Sequence, residues 1–451
     1  MNAKVSVILP SLNVANYIRE CLNSVINQTL YELEIICVDA CSTDGTEEIL
    51  REYAKRDERI VILHSEIKSY GKQVNMGLEF AGGEYIAVLE TDDWIVPDMY
   101  QCLYEYAVAD KLDYVAADFD VFYELQNGCN YYSRRALFPP NKQDWYGKIL
   151  YSEQIATLRA SDYVLWRGIY DRKFLNGNHI RMHESAGAAF QDMGFLQQVK
   201  TFAEKAKYIN ESFYRYRQGR EAASSVSLEG LRYYAGEFDW LNRREAFYSN
   251  LKGIHKKYYY FTMSISFITK YEQVLECLEG NWQDIRLAEP YKWFRKQMVA
   301  AINKRLIEET MYKKEVWERF MILLASPRTH AVQAVCKKIE KEEIMKLLLH
   351  LTKRRPVAIF GCGNRGERLM HFCNSNNIPI ASFCDNNAAL HGERKLGIRI
   401  IPPKELKDEL YNKNEVVILS MKEGKEQVKE QLLNLGIEID RIIDEIPEGI
   451  L

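Results

Sequence analysis

From residue 4 onward, short apolar runs alternate with stretches whose apolar positions recur at helical spacing. VSVILP, residues 5–10, reads as a buried strand. In NVANYIRECLNSVINQ, Ile18, Leu22, Val25 and Ile26 share one helical face behind Asn13, a candidate cap. LEIICVD (33–39) is a second strand, and STDGTEEILREYAKRD (42–57) is a helix opened by a cap-like Ser-Thr-Asp. RIVILHS (59–65) is a third strand, KQVNMGLEFA (72–81) a helix closed by Gly82-Gly83, and YIAVLETDD (85–93) a fourth strand. Strands alternating with helices of this length predict an α/β fold with a mostly parallel sheet covered on both faces.

Past LDYVAADFDVFYE (112–124) the pattern loosens into aromatic-rich loops up to about residue 225, where mixed sheet is expected. Residues 228–350 read as helical, because segments such as LRYYAGEFDWLNRREAFYSNLKGIHKKYY and EEIMKLLLHLTK contain few breakers. A second α/β unit begins near 352: VAIF, the turn GCGNRG, a helical ERLMHFCNSN, the strand IASFCD, then EVVILS and a final helix. The expected domains are therefore 1–227, 228–350 and 351–451, in keeping with 451 residues at roughly 150 per domain.

With 47% hydrophobic and 27% charged residues, disordered, collagen-like and disulfide-scaffold classes drop out. A net charge of −3 gives no reason to expect nucleic acid. The first residues run straight into a strand and a Pro-Ser-Leu-Asn turn rather than a cleavable leader, and no stretch has the roughly 18 consecutive apolar residues that span a bilayer. The expectation is a cytoplasmic protein, soluble or at most peripheral at a membrane. Ten cysteines without a Cys-x-x-Cys pair favour reduced thiols over disulfides or zinc. Residues 281–350 carry fourteen Lys/Arg against nine Asp/Glu, with Trp293, Phe294 and Trp317 interleaved. Such a face is either solvated or able to lie on an anionic membrane surface.

In doubly wound sheets ligands bind beyond the carboxyl ends of the strands. That rule gathers Pro10, Ser11 and Asn13 after the first strand, Asp39 to Asp44 after the second, and Glu90, Asp92 and Asp93 after the fourth. Clustered carboxylates repel one another unless a cation compensates, and a hard divalent ion such as Mg2+ or Mn2+ suits oxygen ligands and substrate phosphates. Asp92 and Asp93 are the candidate metal ligands; a solvated acidic turn is the alternative. Asp39 is placed to accept the imide N–H of a uracil or the amino group of another base, while Ser42 to Asp44 are read as helix caps. Lys72, Gln73 and Asn75 stand within reach of a ligand from a helix start, although Asn75 serves backbone groups equally well. His183, four residues after His179, would share a face with it and offer a third metal ligand if this segment were helical; surface histidines are the better reading.

In their order and spacing, VSVILPSLN, VDACSTDGT and YGKQVNMGLEFAGGEYIAVLETDD resemble the first hundred residues of family 2 glycosyltransferases of the GT-A fold. Departures are Ala40 and Cys41 for an Asp and a Gly, and Glu90 for the first acid of the Asp-x-Asp pattern. The resemblance implies a metal-dependent, inverting transfer of a glycosyl group from a nucleotide-diphosphate sugar, with a UDP-sugar favoured. The acceptor implied is a saccharide or lipid-linked saccharide hydroxyl, in the setting of surface polysaccharide synthesis. Donor contacts then fall to Pro10, Ser11, Asn13, Asp39, Lys72, Asn75 and Asp92. VLWRGIYDRKFL followed by AAFQDMGFLQQV resembles the family segment that carries the catalytic base, which matches Asp192, with Gln191 replacing a Glu; a helix-capping role for Asp192 is compatible with that. YRYRQGREAASSVS resembles a loop that brings an Arg near the diphosphate. Arg217 matches best, with Arg215 and Arg220 as rivals.

GCGNRG supplies Gly361, Gly363 and Gly366 between a strand and a helix, with Asp385 nineteen residues beyond Gly366 at the next strand end. This fits a Rossmann-like fingerprint for a nucleotide or dinucleotide, or a turn that binds nothing. Three functions are thus weighed: the transferase, a catalytically degenerate transferase-like assembly subunit, and a nucleotide-sugar oxidoreductase using the carboxyl-terminal domain. Homo-oligomerisation is left open.

Overall fold

β1 (Val5–Ser11) is buried along its whole length, as a central strand covered on both faces must be. The computed structural model describes residues 3–124, 130–218, 227–352, 355–376, 378–412, 415–444 and 446. The chain divides into two compact units, residues 1–331 and 332–451.

In the first unit β1 is followed by α1 (Ile18–Ile26), β2 (Leu33–Asp39), α2 (Thr46–Ala54), β3 (Ile60–His64), α3 (Tyr70–Phe80) and β4 (Tyr85–Val88). Then come β5 (Trp94–Ile95), α4 (Met99–Asp110), β6 (Tyr114–Glu124), β7 (Asn130–Arg135), β8 (Ile149–Tyr151) and α5 (Ser152–Thr157). β9 (Gly168–Asp171), α6 (Arg172–Gly177), α7 (Gln191–Phe202) and β10 (Lys205–Arg217) complete the sheet region. The strand order is β3-β2-β1-β4-β9-β6-β10-β5, with β7 beside β6 and β8 beside β10. β1, β2, β3 and β4 pair in parallel, but β9 runs antiparallel to both β4 and β6. The sheet is therefore parallel-rich and mixed, as the irregular stretch after residue 124 predicts.

Alternate side chains of β1 enter two cores: Val5, Val7 and Leu9 pack with α1 and α4, while Ile8 packs with α3 and α7. Gly77 of α3 makes the second contact close, since a Cβ there would lie 2.5 Å from Ile8 Cγ2. Register aligns Ser11 with Asp39 and Asp39 with His64, so three strands end on one line. The helical stretch follows as α8 (Gly230–Arg243), α9 (Glu245–Tyr248), α10 (Gly253–Cys277), α11 (Ile285–Asn303), α12 (Lys314–Ala325) and α13 (Pro327–Thr352). Among the described residues no helix is long and apolar enough to cross a membrane.

The second unit contains β11 (Val357–Phe360), α14 (Asn364–Ser375), β12 (Ile380–Cys384), β13 (Arg394–Lys395), β14 (Ile398–Ile401), α15 (Pro403–Asn412), β15 (Val416–Leu419), α16 (Lys425–Asn434) and β16 (Ile442–Ile443). Its sheet runs β13-β14-β12-β11-β15-β16, parallel throughout except for β13.

Three local expectations change. β4 stops at Val88, so Glu90, Asp92 and Asp93 stand on the turn beyond it and not on the strand itself. α1 begins at Ile18, and Asn13 sits at φ +54° in the left-handed region instead of capping it. α2 begins after Gly45, whose φ of +97° turns the chain, so Ser42 and Thr43 are left for a different task.

Candidate functional site

The loops after β1 and β2 are tied together by side-chain to backbone hydrogen bonds. Asn13 N–H donates to Ser42 Oγ and Thr43 N–H to Asn13 Oδ1, both at 2.9 Å. Ala15 N–H donates to Asp44 Oδ2 at 2.9 Å, while Asp44 Oδ1 accepts from Thr46 N–H at 3.1 Å. Asp44 is thus a helix cap in part; Ser42 and Thr43 pin the neighbouring loop. Behind them Gln73 of α3, buried, donates to the carbonyls of Ser11 and Val38 at 2.8 and 2.6 Å, and Thr91 donates to Pro10 O at 3.0 Å. These bonds hold the strand ends in a fixed arrangement before any ligand arrives.

Asp39 closes β2 at 1% exposure. Its Oδ2 accepts from Ser42 N–H at 3.0 Å, and its buried Oδ1 has no hydrogen-bond partner among the described residues. A buried carboxylate oxygen left unsatisfied costs roughly 1–3 kcal/mol or more, so this position is suited to an external donor. Glu47 and His64, one from α2 and one closing β3, bring ligand atoms within 4.8 Å of Asp39 and of each other. Among the described residues no other trio of His, Cys, Asp or Glu is drawn that close. The Glu90-Asp92-Asp93 turn is therefore not a preassembled cage.

Within that turn the acids differ. Asp93, at 1% exposure, accepts from the Tyr214 hydroxyl at 2.8 Å and from Arg217 N–H at 2.7 Å, one bond to each oxygen. Burial, reinforced by the charge of Asp92, raises its pKa well above the ordinary carboxylate range. Glu90 accepts from the Tyr70 hydroxyl at 2.5 Å. Arg217 donates from Nε to the Asp92 carbonyl at 3.0 Å, pairs with Glu20, and lies over the Phe122 ring at 4.6 Å. Two ligands of equal standing, Asp92 and Asp93, do not fit this geometry: Asp93 is anchored inward on both oxygens, leaving Asp92 the better placed for a metal. Arg215 instead pairs with Asp120 at 3.0 Å, and Arg220 lies outside the described residues.

A further wall beside the acidic turn is built by α3, whose Tyr70 bonds Glu90, and the start of α7. Helix α7 opens at Gln191, after Phe190 at φ +66°. Asp192 is half-buried; Met193 N–H donates to its Oδ1 at 2.8 Å, yet burial lifts its pKa to about 6. Its charge is felt at the Tyr70 hydroxyl, the same hydroxyl that Glu90 holds. Gln191 accepts from Ala189 N–H at 2.6 Å and donates to Ser185 Oγ at 2.9 Å and Gly187 O at 3.2 Å, which fixes the loop before the helix. Asn75 is engaged with backbone, donating to Met182 O at 3.0 Å and accepting from Met182 N–H at 2.9 Å. Lys72 remains partly exposed, 3.5 Å from Glu184. The 178–190 segment is not helical, so His179 and His183 do not share a helix face.

Residues 6–174 match the family described as glycosyl transferase family 2, and residues 353–443 match one described as C2185-like, N-terminal. The segment 6–174 is a family 2 glycosyltransferase segment. Similar proteins include glycosyltransferase GlyA of Streptococcus pneumoniae, 26% identical over 72% of this chain and 44% of that one. The uncharacterized glycosyltransferase EpsJ of Bacillus subtilis is 30% identical over 49% of this chain and 63% of its own. The cholesterol galactosyltransferase of Borreliella burgdorferi is 28% identical over 57% and 74% respectively. The chain spans 44% of GlyA and 63% of EpsJ, under two-thirds of either.

The candidate residues Pro10, Ser11, Asn13 and Asp39 at the strand ends, Lys72 and Asn75 on α3, and Asp92 and Asp93 on the turn after β4 all fall inside the matched segment; Asp192 and Arg217 lie beyond it. Tyr70, Tyr214 and Glu20 escape sequence reasoning because their roles depend on contacts up to 197 residues away. His64 was legible in principle: it ends β3 as Asp39 ends β2.

In the second unit Gly361 adopts φ +103°, and a Cβ on Gly366 would lie 2.0 Å from Gly361 O, so this tight turn requires both glycines. A Cβ built on Gly363 would meet nothing within 4 Å among the described residues beyond its own chain neighbours. Asp385, however, accepts from Cys362 N–H and Asn387 N–H, each at 2.9 Å. Its carboxylate braces the glycine turn rather than standing clear for a ribose.

Proposed function

We propose that the family 2 domain transfers a glycosyl group from a uridine diphosphate sugar to an acceptor hydroxyl with inversion, assisted by a divalent cation. The observation that carries this reading is the single unsatisfied oxygen of buried Asp39 at the strand ends. One free acceptor oxygen matches the one imide N–H of uracil. Guanine offers two adjacent donors that call for both oxygens, and Ser42 already occupies one.

The cation site is assigned to Asp92, with Asp93 and Glu90 supplying negative charge behind it. Magnesium or manganese bound there supplies Lewis-acid neutralisation of charge on a leaving diphosphate. Few protein ligands are needed, because such ions keep water and substrate phosphates as the rest of their shell. Arg217, fixed against the same turn, adds positive charge on the diphosphate side.

Asp192 acts as the base. With a pKa of about 6 it is ionised near neutrality yet basic enough to take a proton. The acceptor oxygen forms its bond to the anomeric carbon as the bond to the diphosphate oxygen breaks, and the acceptor proton passes to Asp192 Oδ. One displacement from the opposite face inverts the anomeric configuration.

Calorimetric titration with UDP, GDP and CDP, with manganese and with chelator, tests the reading on wild type and Asp92→Ala. Selective UDP binding that requires both metal and Asp92 supports it. Equal binding of all three nucleotides, or none of any, overturns it.

A further inference from the structure

Helix α8 lies beyond the family-matched segment, yet it delivers a carboxylate to the Asp192 rim. Glu237 is 1% exposed. Its Oε2 lies 3.0 Å from His183 Nδ1, and its buried Oε1 has no hydrogen-bond partner among the described residues. That oxygen occupies space left by Gly194, one turn into α7: a Cβ there would be only 1.7 Å from Oε1. Burial raises the Glu237 carboxyl, with the charge of Asp192 adding in the same direction.

His183 is held at its backbone and on one ring face as well. Its carbonyl packs so tightly on α3 that a Cβ on Gly71 would come within 2.0 Å of it. Its ring stacks on Trp240 of α8 with centroids 4.8 Å apart and planes 10° from parallel, and the Arg244 guanidinium lies 4.7 Å from the Trp240 ring centroid. The Phe190 ring, immediately before α7, meets Tyr234 of α8 edge-on at 5.5 Å. A side chain held this firmly, still 29% exposed and with no hydrogen bond or ion pair at Nε2 among the described residues, is built to present one polar atom. Lys72 and Glu184 on the same rim add partly exposed groups of both signs, a lining suited to a polyhydroxylated ligand.

We propose that α8 completes the acceptor side of the site: His183, held by Glu237, hydrogen-bonds through Nε2 to a saccharide hydroxyl neighbouring the one that Asp192 deprotonates. His183 is the contact residue and Glu237 a positioning residue. The assignment rests on the transferase reading above.

The test follows nucleotide release from the UDP-sugars of glucose, galactose and N-acetylglucosamine while free glucose, galactose or N-acetylglucosamine is raised. Wild type is compared with His183→Gln, Glu237→Gln and Gly194→Ala, which displaces the Glu237 carboxylate while leaving it and His183 in the chain. Each variant is expected to raise the half-saturating saccharide concentration by roughly tenfold or more, while the calorimetric UDP dissociation constant stays within about twofold of wild type. An unchanged half-saturating concentration in His183→Gln overturns the proposal. So does a wild type that binds UDP but whose turnover no saccharide raises above hydrolysis, and so does a parallel loss of UDP affinity in all three variants. Failure of wild type to bind UDP at all sinks the transferase reading instead.

Discussion

The Asp93 carboxylate accepts a hydrogen bond from the Tyr214 hydroxyl at 2.8 Å, which ties the acidic turn after β4 to β10, 121 residues later in the chain. The same strand supplies Arg217, whose N–H holds the other oxygen of Asp93. The acid next door, Asp92, is thereby presented by a turn fixed at both ends.

Asp92→Ala and Asp93→Ala therefore separate. Loss of Asp92 should abolish the manganese-dependent increment in UDP binding with little change in melting temperature. Loss of Asp93 should also cost about 1–3 kcal/mol of stability, since two donors lose a buried acceptor. Thermal melts run beside calorimetry check this; identical behaviour of the two variants would refute the division of roles.

Asp39→Asn should change which base is bound. Ser42 N–H still needs an acceptor, so the amide oxygen turns to it and the NH2 group faces the base. A donor in that place repels the uracil imide and suits cytosine N3. UDP affinity should fall by roughly ten- to a hundredfold, with CDP bound more tightly than by wild type. Titration of both nucleotides into the variant decides it.

Asp192→Asn should keep UDP binding and lower transfer by roughly a hundredfold or more. Because burial raises this carboxyl to about 6, the wild-type rate should fall as pH drops below about 6. The sign for stability is the reverse of that for an ion-paired acid. Folding favours the protonated form, so Asp192 weakens the fold as pH rises above its unfolded value of 3.8, the penalty being complete above about 6. Asp192→Asn should accordingly be slightly more stable than wild type at pH 8 in denaturant titrations.

Gln191→Glu restores the residue usual in the family but should not help here. Its amide donates to Ser185 and Gly187, and a carboxylate cannot donate. The expected result is a loss of about 1–3 kcal/mol and looser ordering of residues 185–190, read from hydrogen exchange.

In the second unit, Gly366→Ala must move the Gly361 carbonyl. It should destabilise residues 332–451 while leaving UDP binding by the first unit within about twofold. Limited proteolysis and calorimetry on the full chain distinguish that outcome from global loss.

The alternation of apolar runs and amphipathic stretches determined the strands β1 to β4, the intervening helices and the line of strand ends, because burial on both faces and helical periodicity are local properties of composition. Position at or just past a strand end likewise singles out Asp39, Asp92 and Asp93. Capping was misjudged at Asn13, Ser42 and Thr43, where a left-handed residue and a glycine turn redirect side chains toward a neighbouring loop that only the parallel register brings near.

Tertiary structure alone decided that Asp93 is an anchor and that Gln191 is a donor rather than a degenerate acid. It alone brought Glu237 of α8 against Gly194. The roles of Asp93 and Glu237 depend on segments 43 to 124 residues apart having packed and on which carboxylates lose their water in doing so, whereas that of Gln191 depends on how the loop two to six residues before it folds back. Periodicity carries no trace of either.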